Sequence, residues 1–212
     1  MEKAKSVVEF YLLCTKLKDV VRTGWKQWNV RRERVESIAE HIFGVQTLAI
    51  AMWSQYGYDI DIRKVIMMIA VHEMEELVIG DLTRWDITPE EKLKRGHEAV
   101  KTVLKDLVKK EEIEQLIFEY DAKETLEAKF AYRCDKMEAC IQAKRYDAEG
   151  CVDLKGLDDH PAVRDEYVQE LLRLKKSWSS AWIEFNRNKI DFDKNFSEVL
   201  DYIDKAEKKE IS

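Results

Sequence analysis

The feature that most constrains the fold is the segment Val65-Ile66-Met67-Met68-Ile69-Ala70-Val71, which runs straight into His72, Glu73, Glu75 and Glu76. Seven apolar residues in succession ask to be buried, and they carry an imidazole and three carboxylates in with them. Desolvating those groups costs several kcal/mol unless they find partners. A cation is the simplest partner for all of them. His41, in Ser37-Ile38-Ala39-Glu40-His41, and Asp135, in Tyr132-Arg133-Cys134-Asp135-Lys136, extend the same reading to a metal site.

The rest of the chain reads as helical. Its 212 residues hold only two prolines and seven glycines, and 37% are charged, a composition that favours helices. The expected fold is all-α, a single bundle of about six to eight helices. Residues 3–20 have an apolar stripe through Val7, Phe10, Tyr11, Cys14 and Leu17. Residues 22–32 read as a loop and 34–56 as a helix ended by Gly57. Residues 61–77 read as one buried helix, and 78–82 as a loop. Thr88-Pro89-Glu90-Glu91 signals the start of a helix running to about Lys109. Residues 111–120 and 123–147 read as two more, 150–161 as a loop, and 162–187 and 195–208 as the last helices.

Net charge is −6, which argues against a nucleic-acid polymer as partner. The longest apolar run near the N-terminus, Phe10 to Cys14, is too short for a signal core or a membrane span. The four cysteines (Cys14, Cys134, Cys140 and Cys151) show no metal-binding spacing and read as reduced thiols. A cytoplasmic protein is the expectation.

If residues 61–77 are one α-helix, His72 and Glu76 share a face and Glu73 lies about 100° round it. A cation between those directions would take its remaining ligands from His41 and Asp135. Two imidazoles and two carboxylates suit Mn, Co, Zn or Fe better than Ca or Mg.

The ordered set Arg22-Thr23-Gly24-Trp25, Arg34 through His41, His72 through Asp81, and Glu127 through Glu138 resembles the 5′-deoxynucleotidase branch of the HD-domain phosphohydrolase superfamily. The match spans roughly residues 10–150. The resemblance implies an HD-type domain over 1–150; residues 151–212 lie outside the match and are expected to form a helical extension packed on the same domain. It implies a divalent transition metal held by His41, His72, Glu73 and Asp135, and Glu76 and Asp81 as catalytic acids, with a surface charge on a helix end as the alternative for Glu76 and a turn residue or N-cap as the alternative for Asp81. It puts Trp25 beside the sugar, where a core aromatic is the alternative. Arg22, Lys26 and Arg34 are the candidate phosphate contacts, with a solvated basic loop as the alternative. The implied activity is removal of the 5′-phosphate from (deoxy)nucleoside monophosphates, and the implied assembly is a homodimer.

One departure stands out: the family pairs His with Asp, whereas this chain has His72-Glu73. The longer carboxylate keeps open a second expectation, a catalytically silent module that binds a nucleotide or a protein. A di-iron oxygenase would need further ligands, for which His97 is the one histidine at a suitable distance along the chain.

Overall fold

A computed structural model describes residues 1–155, 157 and 160–211. Among these the chain is helical, and its pairing of extended segments is confined to two isolated antiparallel bridges, Val21 with Ser37 and Val30 with Val152. The helices are α1 (Glu2–Cys14), α2 (Thr23–Gln27), α3 (Ile38–Tyr56), α4 (Ile62–Val71), α5 (Glu76–Ile79), α6 (Pro89–Leu104) and α7 (Lys110–Ala122). They continue with α8 (Leu126–Glu149), α9 (Pro161–Arg164), α10 (Glu166–Leu174), α11 (Trp178–Ile190), α12 (Lys194–Lys205) and α13 (Lys208–Ile211). The chain divides into two compact units, one of residues 1–23 and 36–132, the other of 24–35 and 133–212.

The all-α expectation holds, but the helices are more numerous than six to eight because several expected ones are cut. The first ends at Cys14 and tightens into a 3₁₀ turn, Thr15–Lys18. Val7 and Tyr11 from its expected inner stripe are exposed. Part of the expected loop over 22–32 is the short helix α2. The expected helix over 162–187 is three pieces, each of which opens on a side-chain cap from His160, Asp165 or Ser177. A cap satisfies backbone N–H groups at a helix start, so each cap fixes a new beginning.

In unit one, α3 begins one residue after Ser37, whose side chain caps the helix in a reciprocal capping box with Glu40. It ends at Gly57, which takes the left-handed conformation (φ 66°) that glycine adopts without strain. α4 is capped by Asp61 and lies against α3, with Val45, Ala49, Val65, Met68 and Ile69 buried. Gln46 on α3 donates its side-chain amide to the Ile66 carbonyl at 3.2 Å, a further tie between the two helices. A second core joins Val71 and Met74 to Val100, Val103 and Leu104 of α6 and Ile117 of α7. The polar segment after α4 is therefore held between two hydrophobic cores.

In unit two, α10 packs on α11 and α11 on α12. Trp25 and Trp28 join Trp178, Trp182 and Tyr146 in an aromatic cluster. The Trp25 and Trp182 rings stack with centroids 5.0 Å apart, and Trp25 meets Tyr146 edge-on at 5.2 Å.

Candidate metal and catalytic centre

The expected continuous helix over 61–77 breaks at Val71. His72 to Glu75 form a turn, and α5 restarts at Glu76. Through the turn the backbone uses tighter i→i−3 bonds: Met74 N–H to Val71 O at 3.2 Å, Glu76 N–H to Glu73 O at 3.2 Å and Leu77 N–H to Met74 O at 3.3 Å. Residues three apart eclipse one another in such a turn, where an α-helix would spread them. This replaces the expectation of His72 and Glu76 sharing one helical face. Glu73, Glu75 and Glu76 instead bring one carboxylate oxygen each within 4.8 Å of the others.

His41, His72 and Glu73 converge within unit one. His41 is fully buried and His72 is 4% exposed. The Nε2 atoms of His41 and His72 stand 3.8 Å and 3.4 Å from Glu73 Oε1. His72 Nδ1 is 2.7 Å from the Ile69 carbonyl. A carbonyl only accepts, so Nδ1 carries the proton and Nε2 of the neutral ring presents a lone pair toward Glu73. Two imidazole nitrogens and a carboxylate oxygen brought this close are a donor set that a cation would join. A backbone carbonyl on the remote nitrogen is the support that metal-bound imidazoles ordinarily receive. The donor set thus fits a divalent transition metal. Asp135 lies on α8, three residues past the end of unit one. It is buried, and its carboxylate meets Lys136 Nζ at 2.8 Å.

Arg22 enters the same centre. The bridge between Val21 and Ser37, with Arg22 N–H donating to Glu36 O at 3.1 Å, holds the chain beside the start of α3. The Arg22 guanidinium then stands 3.5 Å from Glu73 Oε1 and 4.0 Å from Glu36 Oε2.

Glu76 is 4% exposed. Burial, then the neighbouring charges of Glu73 and Asp81, push its carboxyl well above the usual range, while Lys92 opposes the rise. Glu75 is pushed up to about 8 by burial, with Glu73 adding to it. Its stem passes close to α6 at Gly96, where a Cβ would meet Glu75 Cγ at 3.3 Å. Asp81 anchors to backbone: its Oδ2 accepts from Thr23 N–H, the first residue of α2, at 2.6 Å.

The remaining expected residues lie in unit two. Trp25 is 1% exposed, with its indole among Trp178, Trp182 and Tyr146. Lys26 and Arg34 are exposed. Their neighbours Arg31 and Arg32 pair with Asp153 and Glu149, each at 3.1 Å.

Lys92, which no sequence pattern singles out, sits 3.3 Å from Glu76 Oε1. His97 is half-buried, paired with Asp121 at 2.9 Å and packed on Phe118. No spacing signal marks either residue, because helical period says which face a side chain takes and not which remote loop that face meets.

The family model described as "HD domain" matches residues 14–172. Human 5′-deoxynucleotidase HDDC2 is 32% identical over 147 residues, covering 68% of this chain and 70% of the human protein. The 5′-deoxynucleotidase hdd1 of Schizosaccharomyces pombe is 30% identical over 193 residues, covering 84% of this chain and 95% of the yeast protein. A solved structure from Pyrococcus horikoshii OT3 superposes with a TM-score of 0.58 at 28% identity, covering 86% of this chain and 97% of that one. A Magnetospirillum magnetotacticum structure described as a predicted metal-dependent phosphohydrolase shares the fold, with a TM-score of 0.68 at 20% identity, covering 96% of this chain and 94% of that one. By the family model and by these relatives, the chain belongs to the HD-domain family, in the branch whose curated members are named 5′-deoxynucleotidases.

Proposed function

We propose that this protein is a metal-dependent phosphohydrolase that removes the 5′-phosphate from nucleoside monophosphates, with 2′-deoxyribonucleotides preferred. The observation that carries the reading is the convergence of His41, His72 and Glu73 beside the buried acid Glu76. The names of the relatives supply the substrate class. His41, His72 and Glu73 would hold a divalent transition metal, Mn, Co, Zn or Fe. Asp135 is proposed as the fourth ligand on its place in the family motif and its burial. When bound, such an ion supplies Lewis-acid stabilisation of a phosphoryl oxygen and lowers the pKa of water.

The protein's own groups divide the proton work. Hydrolysis forms a bond from water oxygen to phosphorus and breaks the bond from phosphorus to the 5′-oxygen. Glu76 takes the proton the attacking water loses, and Asp81 assists proton delivery to the departing 5′-oxygen. Arg22 is poised to pair with the phosphate, as guanidinium groups do well, with Lys26 and Arg34 assigned the same charge role. Trp25 is assigned to the sugar on its place in the motif. An HD-type region over 1–150, a helical extension over 151–212, a cytoplasmic location and a homodimer are parts of the same proposal. Among the described residues, no helix is long and apolar enough to cross a membrane.

The experiment is phosphate release from matched deoxy- and ribonucleoside monophosphates with Mn²⁺, Co²⁺, Zn²⁺ or Fe²⁺ added. Release that favours deoxy substrates and disappears in His72→Ala supports the reading. The competing reading, a silent nucleotide- or protein-binding module, draws on Glu73, whose longer carboxylate already faces Arg22. It expects a folded protein with no release on any substrate of the panel.

A further inference from the structure

We propose that Lys92 is the positioning residue of the proton-transfer acids, fixing Glu76 directly and Asp81 through the neighbouring peptide. This rests on the phosphohydrolase reading of the site. Lys92 projects from the first turn of α6, which opens at Thr88-Pro89. Its ammonium donates to Glu76 Oε1 at 3.3 Å and to the Leu82 carbonyl at 2.9 Å. Leu82 directly follows Asp81, whose carboxylate is tied from the other side by Thr23 N–H at 2.6 Å. One ammonium therefore spans the two ends of the segment from Glu76 to Leu82.

The contact also separates the two oxygens of Glu76. Oε1 is engaged by Lys92, whereas Oε2 is buried and has no hydrogen-bond partner among the described residues. A buried carboxylate oxygen left open in this way is the one able to meet a water or its proton. Lys92 thus sets the orientation of the carboxylate, with Oε1 as the anchored oxygen and Oε2 as the working one. An ordinary surface ion pair is the alternative. The Glu76 side chain is only 2% exposed, however, and its partner also holds a backbone carbonyl, which a surface pair has no reason to do. Lys92 is further surrounded by the charges of Glu73, Glu75 and Asp81. Its ammonium is the cation that meets Glu76, and it stands inside the acidic cluster.

The test compares Lys92→Met and Lys92→Arg with wild type in the metal-loaded protein, measuring kcat, KM, bound metal and melting temperature. The expected result for Lys92→Met is a kcat lower by about 10- to 100-fold, the range typical of lost supporting contacts at a metal centre. KM and metal content stay near wild type, and Lys92→Arg recovers part of the loss. If Lys92→Met does not fold, Lys92→Gln, which keeps a donor for the Leu82 carbonyl, takes its place. A kcat unchanged in the folded Met or Gln variant, while wild type releases phosphate, overturns the Lys92 assignment alone. So does a loss explained wholly by KM or by metal content. A wild type that releases no phosphate overturns the reading of the site and this assignment with it.

Discussion

Two half-buried acids of unit two, Asp147 and Asp204, and the crowded acids of unit one are held in opposite ways. In unit two, Asp147 accepts from both the backbone N–H and the hydroxyl of Ser179, at 3.0 and 2.6 Å, and Asp204 accepts from Ser180 Oγ at 2.6 Å. Those carboxylates are consumed in joining helices. In unit one, Glu75 and Glu76 each keep a buried oxygen with no hydrogen-bond partner among the described residues, and three carboxylates crowd one turn. Structural acids are satisfied where they stand, because an open buried oxygen costs about 1–3 kcal/mol. In unit one that cost falls twice within one turn, next to the residues proposed to hold the metal.

That contrast can be broken most forcefully at His72. His72→Ala removes a nitrogen donor from the centre, and turnover should fall by about 10³-fold or more with loss of bound metal. The melting temperature should change far less than activity, since the hydrophobic cores on either side remain.

Glu75→Gln probes the cost of the crowded carboxylates in metal-free protein. The folded Glu75 carboxyl is raised from 4.5 to about 8, so the folded state binds more protons than the unfolded state between those values. Its contribution to stability is therefore present in full below about pH 4.5 and is lost as pH rises to 8. Glutamine cannot ionise, so the variant should gain on wild type by about 1 kcal/mol or more at pH 9 relative to pH 4. Paired thermal melts at the two pH values check this, and equal gains at both would mean that Glu75 ionises freely in the fold.

Ser179→Ala is the mirror experiment in unit two. It strips Asp147 of its hydroxyl donor and should cost about 1–2 kcal/mol of stability in urea unfolding while leaving kcat alone. A fall in kcat at constant stability would erase the distinction between the two units.

Glu73→Asp has the smallest expected effect. It restores the residue type the family uses and withdraws the carboxylate from Arg22. Metal affinity or turnover should rise by up to about tenfold, which is about 1.4 kcal/mol. No change in either quantity would show that Glu73 does not touch the ion.

Much of this was legible before any coordinates. His72 and Glu73 stood out because charge carried in by an apolar run is costly, His41 was added as a further ligand of the same type, and the three do converge. The capping signals at Thr88 and Gly57 marked real helix ends, since capping is chemistry between neighbours in sequence, whereas the cap at Ser37 starts α3 four residues later than the expected 34. The turn at His72–Glu75 was not legible. Apolar periodicity continues through Met74 and Leu77, so the pattern alone gives no reason to stop the helix at Val71. Lys92 was hidden for a different reason, because its partners Glu76 and Leu82 lie 16 and 10 residues away and are reached through a loop. Trp25 packs among other aromatic residues, the arrangement the core-aromatic alternative expected, and its place beside the sugar stands only as part of the proposal.

The most direct test of the central claim is a Co²⁺ titration of chelator-stripped protein, followed by visible absorption and run beside His72→Ala. The account predicts saturation at one tightly bound ion per chain in wild type, with nitrogen-ligand bands that vanish in the variant. A wild type that takes up no cobalt, or a variant that takes it up equally well, would contradict a metal centre built on His41, His72 and Glu73.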